Sequence, residues 1–330
     1  MVTDRAAVVI GRNEGERLRA CLRSLAKLGV PVVYVDSGSG DGSPGLARAM
    51  GVEVVELDTT RPFTAGRARN EGVARMLELH PGLEFVQFID GDCVLASGWL
   101  ERGRAELEAD PRVAAVCGRV REANREASIY NRLCDMEWDA PPGEARACGG
   151  NMMMRVAAFR EVGGFRPGFI AGEEPELCLR LRAAGWRVRR SADEMVTHDA
   201  AMTRFSQWWR RTRRAGWSYA AGADAHGEGE ERHNVRNQRS ILVWGAAVPL
   251  AALGLAVPTG GLSFLLLGGY AVLWARVHAH GIGRGFGRRD AALLATFTLL
   301  AKVPQCLGVA EYHLRRVLRA DRGTMDWRGG

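Results

Sequence analysis

Two carboxylates one residue apart, Asp90 and Asp92, follow the run Phe85-Val86-Gln87-Phe88-Ile89. Such a run reads as a strand buried on both faces of a parallel sheet, so the acids fall where the strand ends. Open α/β sheets bind ligands in the crevice at the carboxyl ends of their strands, which is where Asp90, Gly91 and Asp92 would lie. Two hard oxygen donors this close suit Mg²⁺ or Mn²⁺, which keep coordination positions for a ligand's phosphates. His198, after the strand-like stretch 186–196, offers a neutral imidazole that can complete a ligand set. A second group of acids, Glu173, Glu174 and Glu176, opens a helical pattern. Acids in a first helical turn complement the helix dipole, and one held at a pocket edge can also serve as a general base toward a hydroxyl.

The elements that must position these residues alternate. A strand at 6–10 turns through Gly11-Arg12-Asn13-Glu14-Gly15 into a helix at 16–28, with Leu18, Cys21, Leu22, Leu25 and Leu28 on one face. A strand at 30–35 leads to the glycine-rich loop Asp36-Ser37-Gly38-Ser39-Gly40-Asp41-Gly42-Ser43, ahead of a helix whose first turn holds Pro44. That loop has neither G-x-G-x-x-G spacing nor a Gly-Lys-Ser/Thr phosphate cradle. Its glycines let backbone approach a ligand, and Asp36 can accept from a nucleobase or ribose. Strand 52–57, helix 65–79 and the strand to Asp90 continue a βαβαβ rhythm, which predicts a parallel sheet with right-handed crossovers. Further on, helices at 99–107 and 128–138 flank a strand at 113–117. The methionines of Cys148-Gly149-Gly150-Asn151-Met152-Met153-Met154-Arg155 read as core filling.

The chain of 330 residues carries a formal net charge of +7, concentrated after Arg180 in arginine clusters. Two of the clusters flank apolar segments, which favours anionic membrane surface over nucleic acid as their partner. Seven scattered cysteines with no C-x-x-C pair argue against a disulfide framework or zinc site and suggest a reducing cytoplasm. The short apolar run 6–10 reads as a strand, so no cleavable signal peptide is expected.

In order and spacing, VVIGRNEG (8–15), YVDSGSGDGS (34–43), ARN (68–70), FIDGDC (88–93), CGGNMMMR (148–155), GGF (163–165) and AGEEPELCLRLRAAGW (171–186) resemble family 2 glycosyltransferases of the inverting GT-A type. The resemblance implies a GT-A fold, Rossmann-like, with a mostly parallel sheet flanked by helices, over residues 1–225. It also implies a nucleotide-sugar site built from Asn13, Glu14, Asp36, Ser37, Gly38 and Asp41, joined by Arg67 and Asn70. Asp90, Gly91, Gly149, Gly150 and Asn151 would complete it, with Asp36 on the base and Asp90 near ribose and metal. Asp92 would bind the divalent ion, Mg²⁺ or Mn²⁺, with His198 as the further ligand. Glu174 stands at the family's inverting base, with Glu in place of Asp, so the base is Glu174 or Glu173. Gln207, Arg210 and Arg211 resemble the Gln-x-x-Arg-Trp motif of processive synthases and are assigned to the donor; because Arg211 stands where Trp would be, addition of one sugar is expected.

After a basic linker at 226–240, the apolar runs 241–257 and 262–277 are separated by Pro258-Thr259-Gly260-Gly261, and basic residues lie on both outer flanks. By the positive-inside rule they form a transmembrane hairpin (241–279) with both ends cytoplasmic. A third run, 291–301, is interrupted by Lys302, Pro304 and Gln305 and is expected to lie in the interface, within a region 280–330 that ends in a basic cytoplasmic tail. The expected partners are a nucleotide-sugar donor, a lipid-linked or glycan acceptor and membrane lipids, at the cytoplasmic face of the inner membrane. A nucleotidyltransferase, or a nonenzymatic nucleotide-binding membrane protein, is the competing reading.

Overall fold

The structure is a computed structural model and describes residues 4–318; the end of the expected basic tail lies outside the described residues. The chain forms two compact units, Met1–Arg125 with Glu137–Ala201, and Glu126–Met136 with Met202–Gly330.

The first unit opens with β1 (Arg5–Gly11), α1 (Glu16–Ala26), β2 (Val32–Asp36), α2 (Ser43–Ala49), β3 (Glu53–Glu56), α3 (Ala65–Leu79) and β4 (Phe85–Asp90). It continues through β5 (Cys93–Leu95), α4 (Trp99–Ala109) and β6 (Val113–Glu122). The helix α5 (Ile129–Trp138) follows, mostly in the second unit. After it come β7 (Gly143–Glu144), β8 (Met152–Arg155), α6 (Val156–Glu161), α7 (Glu173–Ala183) and β9 (Arg187–His198). Strand order is β3-β2-β1-β4-β8-β6-β9-β5, with β7 on β9. The half formed by β3, β2, β1 and β4 is wholly parallel, and β8 enters antiparallel between β4 and β6. This is the mostly parallel, helix-flanked sheet of the GT-A expectation, with an antiparallel insertion.

Packing follows from the apolar spacing. Val8, Val9, Phe88 and Ile89 are wholly buried, because helices cover both faces of the parallel half, and α1 contributes Leu18, Cys21, Leu22 and Leu25 at i, i+3, i+4 and i+7. The Thr64 hydroxyl caps α3 by accepting from the Arg67 amide at 3.0 Å. At Gly72 that helix presses on the sheet so closely that a Cβ would sit 2.4 Å from Val8 Cγ1. Met152, Met153 and Met154 are buried core residues, in a strand that the sequence pattern did not suggest.

The second unit is helical: α8 (Phe205–His226), α9 (Val235–Leu242), α10 (Val248–Gly254), α11 (Gly268–Gly283), α12 (Arg288–Leu300) and α13 (Lys302–Val317). A π turn joins α9 to α10, and a 3₁₀ turn at Leu262–Leu267 precedes α11. The backbones of α8 and α13 meet at glycines. A Cβ on Gly216 would lie 2.0 Å from the Gln305 carbonyl oxygen, and one on Gly308 equally near that of Arg213. Arg213 pairs with Glu311 beside this contact at 2.6 Å.

Leu262–Gly283 and Arg288–Val317 are long and apolar enough to cross a membrane. The first candidate span contains the expected hairpin leg 262–277, whereas the leg 241–257 is built from the end of α9, the π turn and α10 and is not among the candidate spans of the described residues. The third run is not interrupted as its composition suggested: only Ala301 separates α12 from α13, and Pro304 falls in the first turn of α13, where a helix tolerates proline. Helices also occupy both ends of the expected linker 226–240.

Candidate active site

Two loops at the carboxyl ends of β1 and β2 are stapled together. Asn13, at φ +57°, takes the Gly40 amide on its side-chain oxygen at 2.8 Å and donates its own amide to Ser39 Oγ at 2.9 Å. Gly15 donates to Asp41 at 2.9 Å, and the Ser37 amide reaches the Gly11 carbonyl at 3.0 Å. Asp41 also accepts from the Ser43 amide and hydroxyl. Burial raises the Asp41 pKa, and these hydrogen bonds outweigh it, holding the carboxyl below the ordinary range.

Asp36 is buried at the end of β2 and accepts from Tyr34 Oη at 2.8 Å, the Gly38 and Ser39 amides at 2.9 and 2.7 Å, and Ser39 Oγ at 2.5 Å. Four donors fill a carboxylate's usual acceptor capacity, so Asp36 fixes the shape of this loop. Burial, and then Asp36, push the Tyr34 phenol far up, which keeps it a donor. Phe63 lies on Gly38, where a Cβ would come within 3.0 Å of its ring, and the Arg12 guanidinium lies over that ring at 5.7 Å from the centroid. Neither Phe63 nor Arg12 stood out in the sequence.

The acids after β4 have separate partners. Asn151 accepts the Asp90 amide at 2.9 Å, and Arg69 donates to Asp90 Oδ1 at 2.8 Å. The same guanidinium reaches Glu173 Oε1 at 3.2 Å, and Phe165 lies 5.5 Å from it. Arg69 is thus a buried cation between Asp90 and Glu173. Burial opposes its charge, and the two carboxylates outweigh that, raising its pKa. Gly150 covers the pair: a Cβ there would be 2.6 Å from Asp90 Oδ2 and 2.7 Å from Arg69 Nη2. The nominated Arg67 points elsewhere, to Glu71 at 2.6 Å and to carbonyls of residues 58, 61 and 62. Asn70 brackets Phe165, donating to its carbonyl and accepting from its amide. Glu14 is buried beside Gly11 and Gly91 and pairs with Arg17 at 2.7 Å.

Asp92 and His198 come together. His198 pairs with Cys93 across β9 and β5, which brings its Nε2 to 3.4 Å from Asp92 Oδ1. Its Nδ1 is buried with no hydrogen-bond partner among the described residues, and Trp138 packs on the ring with centroids 4.6 Å apart. A carboxylate oxygen and an imidazole nitrogen on one side of this strand pair form a donor set suited to Mn²⁺ or Mg²⁺. Cys93 shares the cluster, but burial and the charges of Asp92 and Asp90 push its thiol pKa well up, so it is a poor ligand for a hard cation. Glu122 stands opposite His198 in the sheet register, with a carboxyl raised chiefly by burial; the sequence pattern gave no hint of it.

Glu174, one residue beyond Glu173 on α7, faces inward. It accepts from the Cys148 amide at 2.5 Å and lies 2.9 Å from Cys178 Sγ, and Gly149 adds a backbone hydrogen bond. Burial raises its pKa above the ordinary carboxyl value despite these donors. Glu176 is structural, held by Arg180 at 2.8 Å and Arg166 at 3.2 Å. Gln207, Arg210 and Arg211 lie on α8 in the second unit, where Gln207 accepts the Thr203 and Arg204 amides at the helix start.

With this arrangement in view, residues 7–163 match the description glycosyl transferase family 2, and residues 135–204 match N-terminal domain of galactosyltransferase. The chain carries a family 2 glycosyl transferase domain. A pre-mycofactocin glycosyltransferase of Mycobacterium tuberculosis is 27% identical over 325 residues, which cover 92% of this chain and 58% of that protein. An O-antigen chain rhamnosyltransferase of Salmonella typhimurium is 26% identical, over 51% of this chain and 56% of its own length. The chain therefore spans little more than half the length of these relatives. Its fold is that of a mannosyltransferase from Pyrobaculum calidifontis solved with GDP-mannose and Mn²⁺, at TM-score 0.58 and 21% identity, covering 92% of this chain and 87% of that one.

Proposed function

We propose that this protein transfers a single sugar, with inversion, from a nucleotide-sugar donor to a lipid-linked or polysaccharide acceptor, in a reaction dependent on a divalent cation. The observation that carries the reading is Arg69: one buried guanidinium contacts both Asp90, at the end of β4, and Glu173, at the start of the helix bearing Glu174. It ties the acid-bearing strand end to the base-bearing helix in one wall. The relatives named above transfer sugars, and the mannosyltransferase of like fold was solved with a nucleotide sugar and Mn²⁺.

In this reading Asp92 and His198 hold Mn²⁺ or Mg²⁺, which when bound neutralises charge on the departing diphosphate. The stapled loops 11–15 and 36–43 present backbone to the nucleoside, with Asp36 shaping the loop and Phe63 lining it. Asp90, kept in place by Arg69 and Asn151, faces the ribose. Glu174 takes the proton of the acceptor hydroxyl as that oxygen bonds to the anomeric carbon and the bond from that carbon to the diphosphate oxygen breaks. A carboxyl raised by burial suits this proton transfer, since base catalysis works best with a pKa near the working pH. Glu173, committed to Arg69, positions the wall.

In this reading the reaction takes place at the cytoplasmic face of the inner membrane, and the apolar helices support a membrane location. Leu250, Leu253, Val257, Leu262 and Leu265 are all strongly exposed, Val257 at 92%, as expected of a surface that meets lipid. Arginines at 232, 236 and 239, and at 284, 288 and 289, flank it. The test is a screen of UDP-, GDP- and dTDP-sugars with Mg²⁺ or Mn²⁺, followed by the Glu174→Gln variant with the donor that turns over. Donor binding without transfer in the variant supports the reading, and transfer at the normal rate overturns the base assignment.

A further inference from the structure

The fold assembles a cluster of soft ligands that the spacing of cysteines in the sequence conceals. Cys148 and Cys178 come from the loop before β8 and from α7, and their sulfurs and a Glu174 carboxylate oxygen all lie within 4.8 Å of one another. The Cys117 thiol, on β6, interacts with Cys148 from outside that group and donates to the Arg189 carbonyl at 3.7 Å. All four side chains are buried, and Glu174 Oε1 sits 2.9 Å from Cys178 Sγ. Thiols serving only as small core hydrophobes have no need of a carboxylate among them. Burying one there costs stability unless it is paired.

We propose that Cys148, Cys178 and Glu174, with Cys117 as the fourth donor, form a site for a thiophilic divalent cation of the Zn²⁺ class, and that its occupancy withdraws Glu174 from proton transfer. Three sulfurs and one carboxylate oxygen make a four-coordinate set that Zn²⁺ accepts and Mg²⁺ and Mn²⁺ disfavour. The site is thus chemically orthogonal to Asp92 and His198, which offer harder donors. Each metal–sulfur bond replaces an S–H, whose proton leaves to solvent, so binding tightens as pH rises. The thiols start protonated: contacts with its sulfur neighbours, then burial, raise Cys148, and at Cys178 the Cys148 contact lowers the pKa while burial and Glu174 raise it to about 11. Zn²⁺ would therefore act as a pH-dependent inhibitor, separate from the cation that supports catalysis. The inhibitory half rests on Glu174 being the base; the binding half does not.

Cd²⁺ is the probe, because cadmium–thiolate bonds absorb in the ultraviolet independently of turnover. The full chain, with saturating Mg²⁺, is titrated with Cd²⁺ while absorbance and sugar transfer are followed, and Zn²⁺ is then used in the transfer assay alone. The expected result is charge-transfer absorbance that saturates at one equivalent and strengthens with pH. Transfer should fall at least tenfold in step with it and return on chelation. Cys178→Ala and Cys148→Ser should lose the absorbance, whereas Cys93→Ser, next to Asp92, and Cys306→Ala, in the second unit, should keep it. No saturable absorbance, or absorbance surviving in both folded Cys148 and Cys178 variants, overturns the site. Should either variant fail to fold, the Cd²⁺ titration is repeated on Glu174→Gln: half-saturation at a tenfold or higher Cd²⁺ concentration supports the site, and an unchanged titration overturns it. Absorbance with undiminished transfer overturns the inhibition alone. Failure of the base reading is seen separately, as normal transfer by Glu174→Gln with Mg²⁺ present and neither Cd²⁺ nor Zn²⁺ added.

Discussion

Replacing Arg69 by Met keeps most of the side-chain volume and removes the charge that Asp90 and Glu173 share. Arg69 is 3% exposed as a side chain, Asp90 31% and Glu173 12%, so the two acids left behind are only partly able to turn to water. Removing one partner of a buried ion pair costs roughly 3–5 kcal/mol. The exposure of Asp90 puts the expected loss at the lower end, about 3 kcal/mol. For a unit of this size 1 kcal/mol moves Tm by about 2–4 °C, so the variant should melt about 6–12 °C lower. The control is Arg75→Met: Arg75, at the surface of the same helix, pairs with Glu78 on that helix and with Glu53 on β3, and its loss should leave the melting point close to that of the wild type. Thermal unfolding of both variants, purified as full chains in the same detergent, makes the comparison. Equal melting points for the two would refute the argument that Arg69 holds the wall of the site together.

Gly150→Ala puts a methyl 2.6 Å from Asp90 Oδ2, and the forced displacement should cost about 1–3 kcal/mol and weaken donor binding, read by titration calorimetry. Glu174→Gln should lower kcat by about 10²–10⁴ with donor affinity unchanged. The same variant carries a stability signature. A carboxyl whose folded pKa lies above its unfolded value binds protons more tightly when folded, so its ionisation costs stability as pH rises through that window. Relative to the wild type, Glu174→Gln should therefore gain stability between pH 4 and pH 8, and a constant difference in urea melts at the two pH values would contradict the raised pKa. Gly308→Leu should separate α8 from α13, since even a Cβ there meets the Arg213 carbonyl, and limited proteolysis should then cut the second unit faster than in the wild type.

The alternation of strands and helices up to Asp90 was legible because each buried strand is a short apolar run and each helix keeps a single apolar face. The strand β8 was not: Met152, Met153 and Met154 are only one strand-length of core, and nothing local separates that from filler. Side-chain direction was the other gap. Two residues along a helix point about 200° apart, so Arg67 turns to the 58–62 segment and Arg69 to Asp90, although both look equally available in sequence. Glu173 and Glu174, about 100° apart, likewise meet an arginine and a thiol cluster respectively. Asp92 and His198 were legible as chemistry but not as neighbours, because only the β5–β9 pairing brings them together. In the C-terminal third, composition marked the apolar runs but misplaced a break at Pro304, whose effect depends on where the helix begins.

In the proposed reaction Asp92 and His198 bind the cation that holds the donor diphosphate. The direct measurement is titration calorimetry of the nucleoside diphosphate of the active donor, with and without Mn²⁺, into the wild type and into Asp92→Ala. Tight binding to the wild type is expected only with Mn²⁺, and weak binding to Asp92→Ala that is indifferent to Mn²⁺. Binding to a folded Asp92→Ala that Mn²⁺ strengthens as much as in the wild type would contradict it.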